Sequence, residues 1–274
     1  DGTVLTKTDG CESSKNLVLG HEAKCTNTGA LLNAGSSGNT LSKVSVVSAT
    51  GADVTDNYEI TKEGGRLTVK PKSLAVTWGS TTTFTYNGNA QAPTASVATG
   101  ISNETMTVTR TTGTNAGSYT STASCSSVTG GQAKCSNYTL TGTTKAFTIN
   151  KASSTIPTIT AYEGTYDAAS HTFTMSGGSG GTINYSVNNG TTWTTTKPTR
   201  TTAGTTTVQV KIVGDKNHND TSVISTTIKI DKRAITVKAA VAEKIYDGTV
   251  LTKTDGCESS KNLVSGHEAK CTNT

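Results

Sequence analysis

The stretch DGTVLTKTDGCESSKNLVLGHEAKCTNT, residues 1–28, returns at residues 247–274 with one change, Leu19 against Ser265. The copies are offset by 246 residues in a chain of 274, so the sequence is slightly more than one period of a long tandem repeat. A site that must be assembled once has no use for near-identical copies. An extended array built from equivalent units does.

A weaker period lies inside the first. Tyr86-Asn87-Gly88, Tyr166-Asp167-Ala168 and Tyr246-Asp247-Gly248 stand 80 residues apart, as do Asn57-Tyr58, Asn137-Tyr138 and Asn217-His218. Ala34-Gly35, Ala116-Gly117 and Ala203-Gly204 fall in the same relative place. Three alternating segments, residues 66–69, 146–149 and 227–230, read as closing strands. The long period therefore divides into three diverged units of about 80 residues, the size of a small β-sandwich. The expected organisation is the later part of one sandwich over 1–70, a second over 71–150, a third over 151–232, and the opening part of the next copy of the first over 233–274. Only two or three residues separate each closing strand from the next opening strand. Such short junctions restrict rotation, where long Gly/Ser linkers would permit it, and they predict an elongated rod.

Composition agrees with an all-β class. Thr makes up about a fifth of the residues, and it favours a pleated, half-exposed surface over a helix interior. Hydrophobic residues are only 32% and aromatics 5%, enough for several small cores but not one large one. No stretch carries sustained apolar residues at helical spacing, and none is long enough to span a bilayer. The net charge of +5 is spread without a Lys/Arg run or an aromatic–basic stripe, which argues against nucleic acid as a partner.

Six Cys are present. Cys11 and Cys25 recur as Cys257 and Cys271, and the remaining two are Cys125 and Cys135. The spacings, 14 and 10 residues, lack the close pairs and added ligands of a zinc site. They predict local disulfides Cys11–Cys25, Cys125–Cys135 and Cys257–Cys271, and hence an oxidising, extracellular compartment. Residues 126–134, SSVTGGQAK, read as a hairpin loop closed at its base by the second of these. Asn189-Gly190 reads as a two-residue hairpin turn.

These landmarks resemble a group of bacterial surface repeats. KIYDGT at residues 244–249, with LLNAGSSGNTLSKVSVVSATGADVTDNYEI at 31–60, resembles the YDG domain of large secreted bacterial proteins. TYNGNAQAP at 85–93 and NAGSYT at 115–120 resemble the related MBG-type repeats. YDAASHTFTMSG at 166–177 and AGTTTVQVKIVGDKNHND at 203–220 resemble the same group more loosely, because Ala168 and His218 replace the usual Gly and Tyr. The resemblance implies tandem Ig-like β-sandwiches: a YDG-type domain split between 1–70 and 233–274, and MBG-type or related domains between them. It implies adhesins, giant surface proteins or extracellular fibres, and it carries over no catalytic residue.

Tyr86-Asn87-Gly88, Tyr166-Asp167 and Tyr246-Asp247-Gly248 read as turns, with Tyr supplying core area and the third position a positive φ. Asn57-Tyr58 and Asn137-Tyr138 precede a late strand, where sandwiches anchor a Tyr hydroxyl to backbone. Asp215, Asn217, Asn219 and Asp220 alternate like the start of a calcium loop, but the turn Gly and distal Glu are missing. His21, His171, His218 and His267 show no metal-ligand spacing once the Cys are assigned to disulfides. No nucleophile elbow occurs. Trp78 and Trp193 read as core or inter-domain packing rather than sugar platforms.

The expectation is a non-catalytic, cofactor-free segment of a bacterial cell-surface stalk or secreted fibre. Its partners are further copies of the same repeat in the chain, with lateral or end-to-end self-association open. The rival reading is an adhesin whose repeats bind a host or matrix glycan or protein. The chain reads as a window on a continuous array, with strand exchange between molecules as the alternative. Under the window reading the two copies of the 28-residue stretch take the same conformation.

Overall fold

The computed structural model describes residues 2–11, 15–131, 133–254 and 256–272. The chain is almost entirely β, with several sheets and two single-turn 3-10 helices among the described residues. It divides into two compact units, one of residues 1–84 and 88–149, the other of 85–87 and 150–274.

In the first unit, three antiparallel pairs come from the N-terminal third: Leu5–Thr6 with Ala30–Leu31, Glu22–Asn27 with Leu41–Val47, and Gly35–Asn39 with Gly65–Val69. Their small core holds Cys25, Val46 and Leu67. The rest of the unit is a four-stranded sheet in the order Thr105–Arg110, Gly117–Thr129, Thr144–Asn150, Thr83–Thr85, with two ribbons beside it. Lys72–Ala75 runs parallel to Tyr138–Thr141, and Thr77–Trp78 pairs with Ala95–Ser96. Leu74, Val97 and Met106 form the centre, backed by Val108, Tyr138 and Leu140.

The second unit repeats that plan. A four-stranded sheet runs Gly181–Ser186, Gly204–Gly214, Ile224–Asp231, Tyr162–Thr165. Ala152–Ser153 lies parallel to His218–Asn219, and Thr158–Thr160 pairs with Thr174–Ser176. Strict alternation explains the sheet. Val208, Val210 and Ile212 on one strand, with Ile228 and Ile230 on the next, all point inward and are buried. Val208, Val210 and Ile228 cluster with Phe173 and Tyr185, with Ile159 and Met175 of the ribbon behind. The last part of the chain pairs Thr236–Ala239 with Cys257–Lys261 and leaves Ile245 and Tyr246 each 92% exposed.

One glycine position shows how the plan is kept. Gly35, Gly117 and Gly204 open strands opposite Val69, Ile149 and Ile230, the last apolar residues of the closing strands. All three have positive φ, 146°, 154° and 130°, a backbone that residues with a Cβ rarely adopt.

Two sequence readings change. Residues 126–134 are not simply a hairpin loop: the strand Gly117–Thr129 runs four residues past Cys125, with an extra residue bulged near Ser126 where the register shifts. The turn falls at Gly130, where a Cβ would lie 1.8 Å from the Asn103 carbonyl oxygen. Asn189 and Gly190 do have positive φ, 56° and 83°, but the strand pairing closes further out, between Tyr185 and Thr194. The Ser186 hydroxyl and the Asn188 side chain satisfy the wider loop internally.

Candidate functional site

The residue pattern that repeats every 80 positions falls on turns and strand starts. Cys135–Asn137 forms a 3-10 turn, and the Tyr138 N–H donates to the Cys135 carbonyl. The Cys125–Cys135 disulfide, with Cα atoms 5.8 Å apart, fastens this turn to the long strand. Asn137 is thereby held over the start of the Gly35 strand. Its Oδ1 accepts the Ala34 N–H at 2.9 Å, and its Nδ2 donates to Asn33 Oδ1 at 2.9 Å.

Beside this pair lies a cleft of 420 Å³ whose lining includes Leu32, Lys70, Lys72, Glu104 and Tyr138. The Tyr138 hydroxyl donates to Glu104 Oε2. Burial, then the adjacent carboxylate, pushes the Tyr138 phenol up to about 12. Lys72 Nζ donates to the Thr99 carbonyl at 2.8 Å, so its ammonium is tied to backbone. Tyr138, Glu104 and Lys72 at the cleft are thus each engaged with a protein partner.

Thr55–Asn57 is the matching 3-10 turn in the N-terminal third. Asp53 Oδ1 accepts the Thr55 N–H at 2.9 Å, and the two Thr55 bonds hold the Asp53 carboxyl below its usual value. The Tyr58 hydroxyl accepts the Val18 N–H at 3.2 Å and pairs with His21 Nδ1 at 2.8 Å. Tyr58 thus has the expected backbone partner, the Val18 N–H, whereas the Tyr138 hydroxyl bonds the Glu104 carboxylate instead. A further Tyr is anchored to backbone: the Tyr119 hydroxyl donates to the Asn115 carbonyl at 2.8 Å, while its ring stacks on Phe147. Tyr119 sits two residues after Gly117 in NAGSYT, and that spacing was the available signal.

The Tyr-[Asp/Asn]-Gly turns have positive φ at the third residue: 81° at Gly88, 68° at Ala168, 78° at Gly248. The N–H of Tyr86 donates to the Asn150 carbonyl and that of Tyr166 to the Asp231 carbonyl, each at 2.9 Å. Asp167 Oδ1 accepts the Ala169 N–H and pairs with His171 Nε2, and the His171 bond, foremost, lowers its pKa. Asp247 is lowered chiefly by Lys244 Nζ at 2.8 Å. Asn87 and Asp247 are exposed. The Tyr86 ring meets His218 edge-on at 5.3 Å, and Asn217 is buried.

The Cys pairs are joined as spaced. Cys11–Cys25 and Cys257–Cys271 both have Cα separations of 5.5 Å, and no free Cys occurs among the described residues. The alternating Asp/Asn run is a set of turns. Asp215 Oδ1 takes the Asn217 N–H and the His218 ring, and Asp220 Oδ1 takes the Gly214 N–H. Trp78 donates Nε1–H to the Gly142 carbonyl, and Trp193 to the Gly190 carbonyl, with Lys211 Nζ 4.3 Å from the Trp193 ring centre. No helix among the described residues is long and apolar enough to cross a membrane. The disulfides are compatible with an extracellular protein. No protein-family model matches the chain, and a search of curated proteins also finds no match.

Proposed function

We propose that the chain is a structural segment of a bacterial extracellular stalk or fibre, built from tandem Ig-like β-sandwiches of the YDG and MBG type. It performs no catalysis and takes no cofactor; its partners are further copies of the same repeat. The observation that carries this reading is the coincidence of two repeats. The sequence repeats its first 28 residues after 246, and two four-stranded sheets within one period share one strand order. The recurring polar residues go into turns and hydrogen bonds that hold strands to strands, as with Asn137 and Ala34, rather than into a converging reactive cluster. A stapled, short-linked array suits a load-bearing element, because each disulfide limits how far its domain extends when pulled.

The test is negative-stain microscopy of chains carrying one, two and four copies of the 246-residue period. Filaments of even width, lengthening linearly with copy number, support the reading. Globular particles that grow in all directions refute it. The adhesin alternative draws on the cleft beside Lys72 and Glu104. Saturable glycan or matrix-protein binding, abolished by Lys72→Ala, would favour that alternative.

A further inference from the structure

The second copy of the repeated stretch carries a seat whose occupant the first copy identifies. In the first copy the His21 N–H donates to the Val18 carbonyl at 2.9 Å around Gly20, φ 87°. The Tyr58 hydroxyl then bonds Val18 N and His21 Nδ1. The second copy builds the same turn: His267 N–H to the Val264 carbonyl at 3.0 Å around Gly266, φ 80°. Gly256 N–H reaches the Cys271 carbonyl at 3.2 Å, as Gly10 N–H reaches that of Cys25 at 3.2 Å. Yet among the described residues Val264 N–H and His267 Nδ1 have no hydrogen-bond partner. They line a cleft of 480 Å³ with Ala203, Tyr166 and Arg233.

Two further observations point to the same occupant. Ala203 corresponds to Ala34, whose N–H is taken by Asn137. The Ala203 N–H has no partner among the described residues, and neither does the exposed side chain of Asn57, which occupies the Asn137 position of its own turn. In addition, the closing strand Ile224–Asp231 is flanked by a parallel strand, Tyr162–Thr165, just before Tyr166, and Thr144–Asn150 is likewise flanked by Thr83–Thr85 just before Tyr86. Among the described residues, the closing strand Gly65–Val69 pairs only with Gly35–Asn39, and residues 242–245, just before Tyr246, belong to no strand.

We propose that this cleft and the adjoining edge receive a further copy of residues 29–70, supplied by the same polypeptide. The counterpart of Tyr58 seats its hydroxyl on Val264 N–H and His267, and that of Asn57 takes the Ala203 N–H. The counterpart of Gly65–Val69 lies parallel to residues 242–245 and covers Ile245 and Tyr246. A second molecule is the less favourable source, because its own Val18 and His21 already hold its Tyr58. This inference rests on the tandem-array reading and names the contacts that join one period to the next.

The experiment lengthens the chain at its C-terminus by a second copy of residues 29–70 and compares it with the 274-residue chain by amide hydrogen exchange and NMR. The expected result is at least a tenfold slowing of the Val264 and Ala203 amides, with the His267 ring signals moving to those of His21. Changing the appended counterpart of Asn57 to Ala should release the Ala203 amide and leave Val264 slow. If the appended segment acquires slow amides of its own while Val264 and Ala203 exchange unchanged, the seat is wrong though the array stands. If the appended segment exchanges as unfolded chain, the array reading itself fails. Concentration-dependent slowing of Val264 in the 274-residue chain alone would overturn the same-polypeptide source.

Discussion

The side-chain oxygen of Asn137 accepts the backbone N–H of Ala34 at 2.9 Å across 103 residues of sequence. With the matching bond from Nδ2 to Asn33, it satisfies both ends of one amide at the start of a strand. Geometry of this kind is lost if either atom type changes. Asn137→Ala should cost about 1–2 kcal/mol in urea unfolding, the range for removing one half-buried hydrogen-bonding group. The Ala34 amide should exchange faster in the variant, while amides in Gly204–Gly214 stay unchanged.

The Cys125–Cys135 bond closes a separation of 10 residues, for which chain entropy assigns about 3 kcal/mol. The Cys125→Ser, Cys135→Ser double variant should lose stability of that order. Because the bond also fastens the turn that bears Asn137, the Ala34 amide should lose protection in this variant as well. Loss of stability with Ala34 still fully protected would separate the staple from the Asn137 contact.

These two cases also show what could be read from sequence. The Cys pairs were legible because their partners are near in sequence and one pair is duplicated. The alternating run from Val208 to Ile212 was legible because its period is that of a strand buried on one face. The role of Asn137 was not, because its partners lie over a hundred residues away and Asn at a turn has a sufficient local explanation. The partner of Tyr138 was not legible for a similar reason. Tyr138 sits where Glu104 is within reach, and a carboxylate is a stronger acceptor than a carbonyl. The strand past Cys125 was missed because Gly130-Gly131 looked like the middle of a loop, when Gly130 is at a turn packed closely on Asn103.

Tyr138 gives a pH signature. Its folded pKa, about 12, lies above the ordinary 10.0, so the folded state keeps a proton that the unfolded state gives up. Stability from this group is complete below pH 10 and falls as pH rises from there towards 12. In Tyr138→Phe that part of the alkaline loss should vanish. The measurement is unfolding free energy from pH 8 to about 11.5, taken as the difference between wild type and variant. A difference that does not change with pH contradicts the Glu104 pairing and burial as its cause.

Ala168 holds φ 68° where the equivalent turns have Gly88 and Gly248. A Cβ in this region costs about 1 kcal/mol or somewhat more. Ala168→Gly should therefore stabilise the second unit, with a rise in Tm on calorimetry. The reverse change, Gly88→Ala, should destabilise by a similar amount, since open space surrounds its would-be Cβ and only the backbone strain counts.

The central claim is that the chain is a segment of an extended tandem array, and small-angle scattering of the oxidised 274-residue protein tests it most directly. A compact globule of this length has a radius of gyration of about 19 Å. The account predicts roughly one and a half times that value or more, with a pair-distance distribution skewed to long distances as for a rod. A radius near the compact value, with a symmetric distribution, would contradict it.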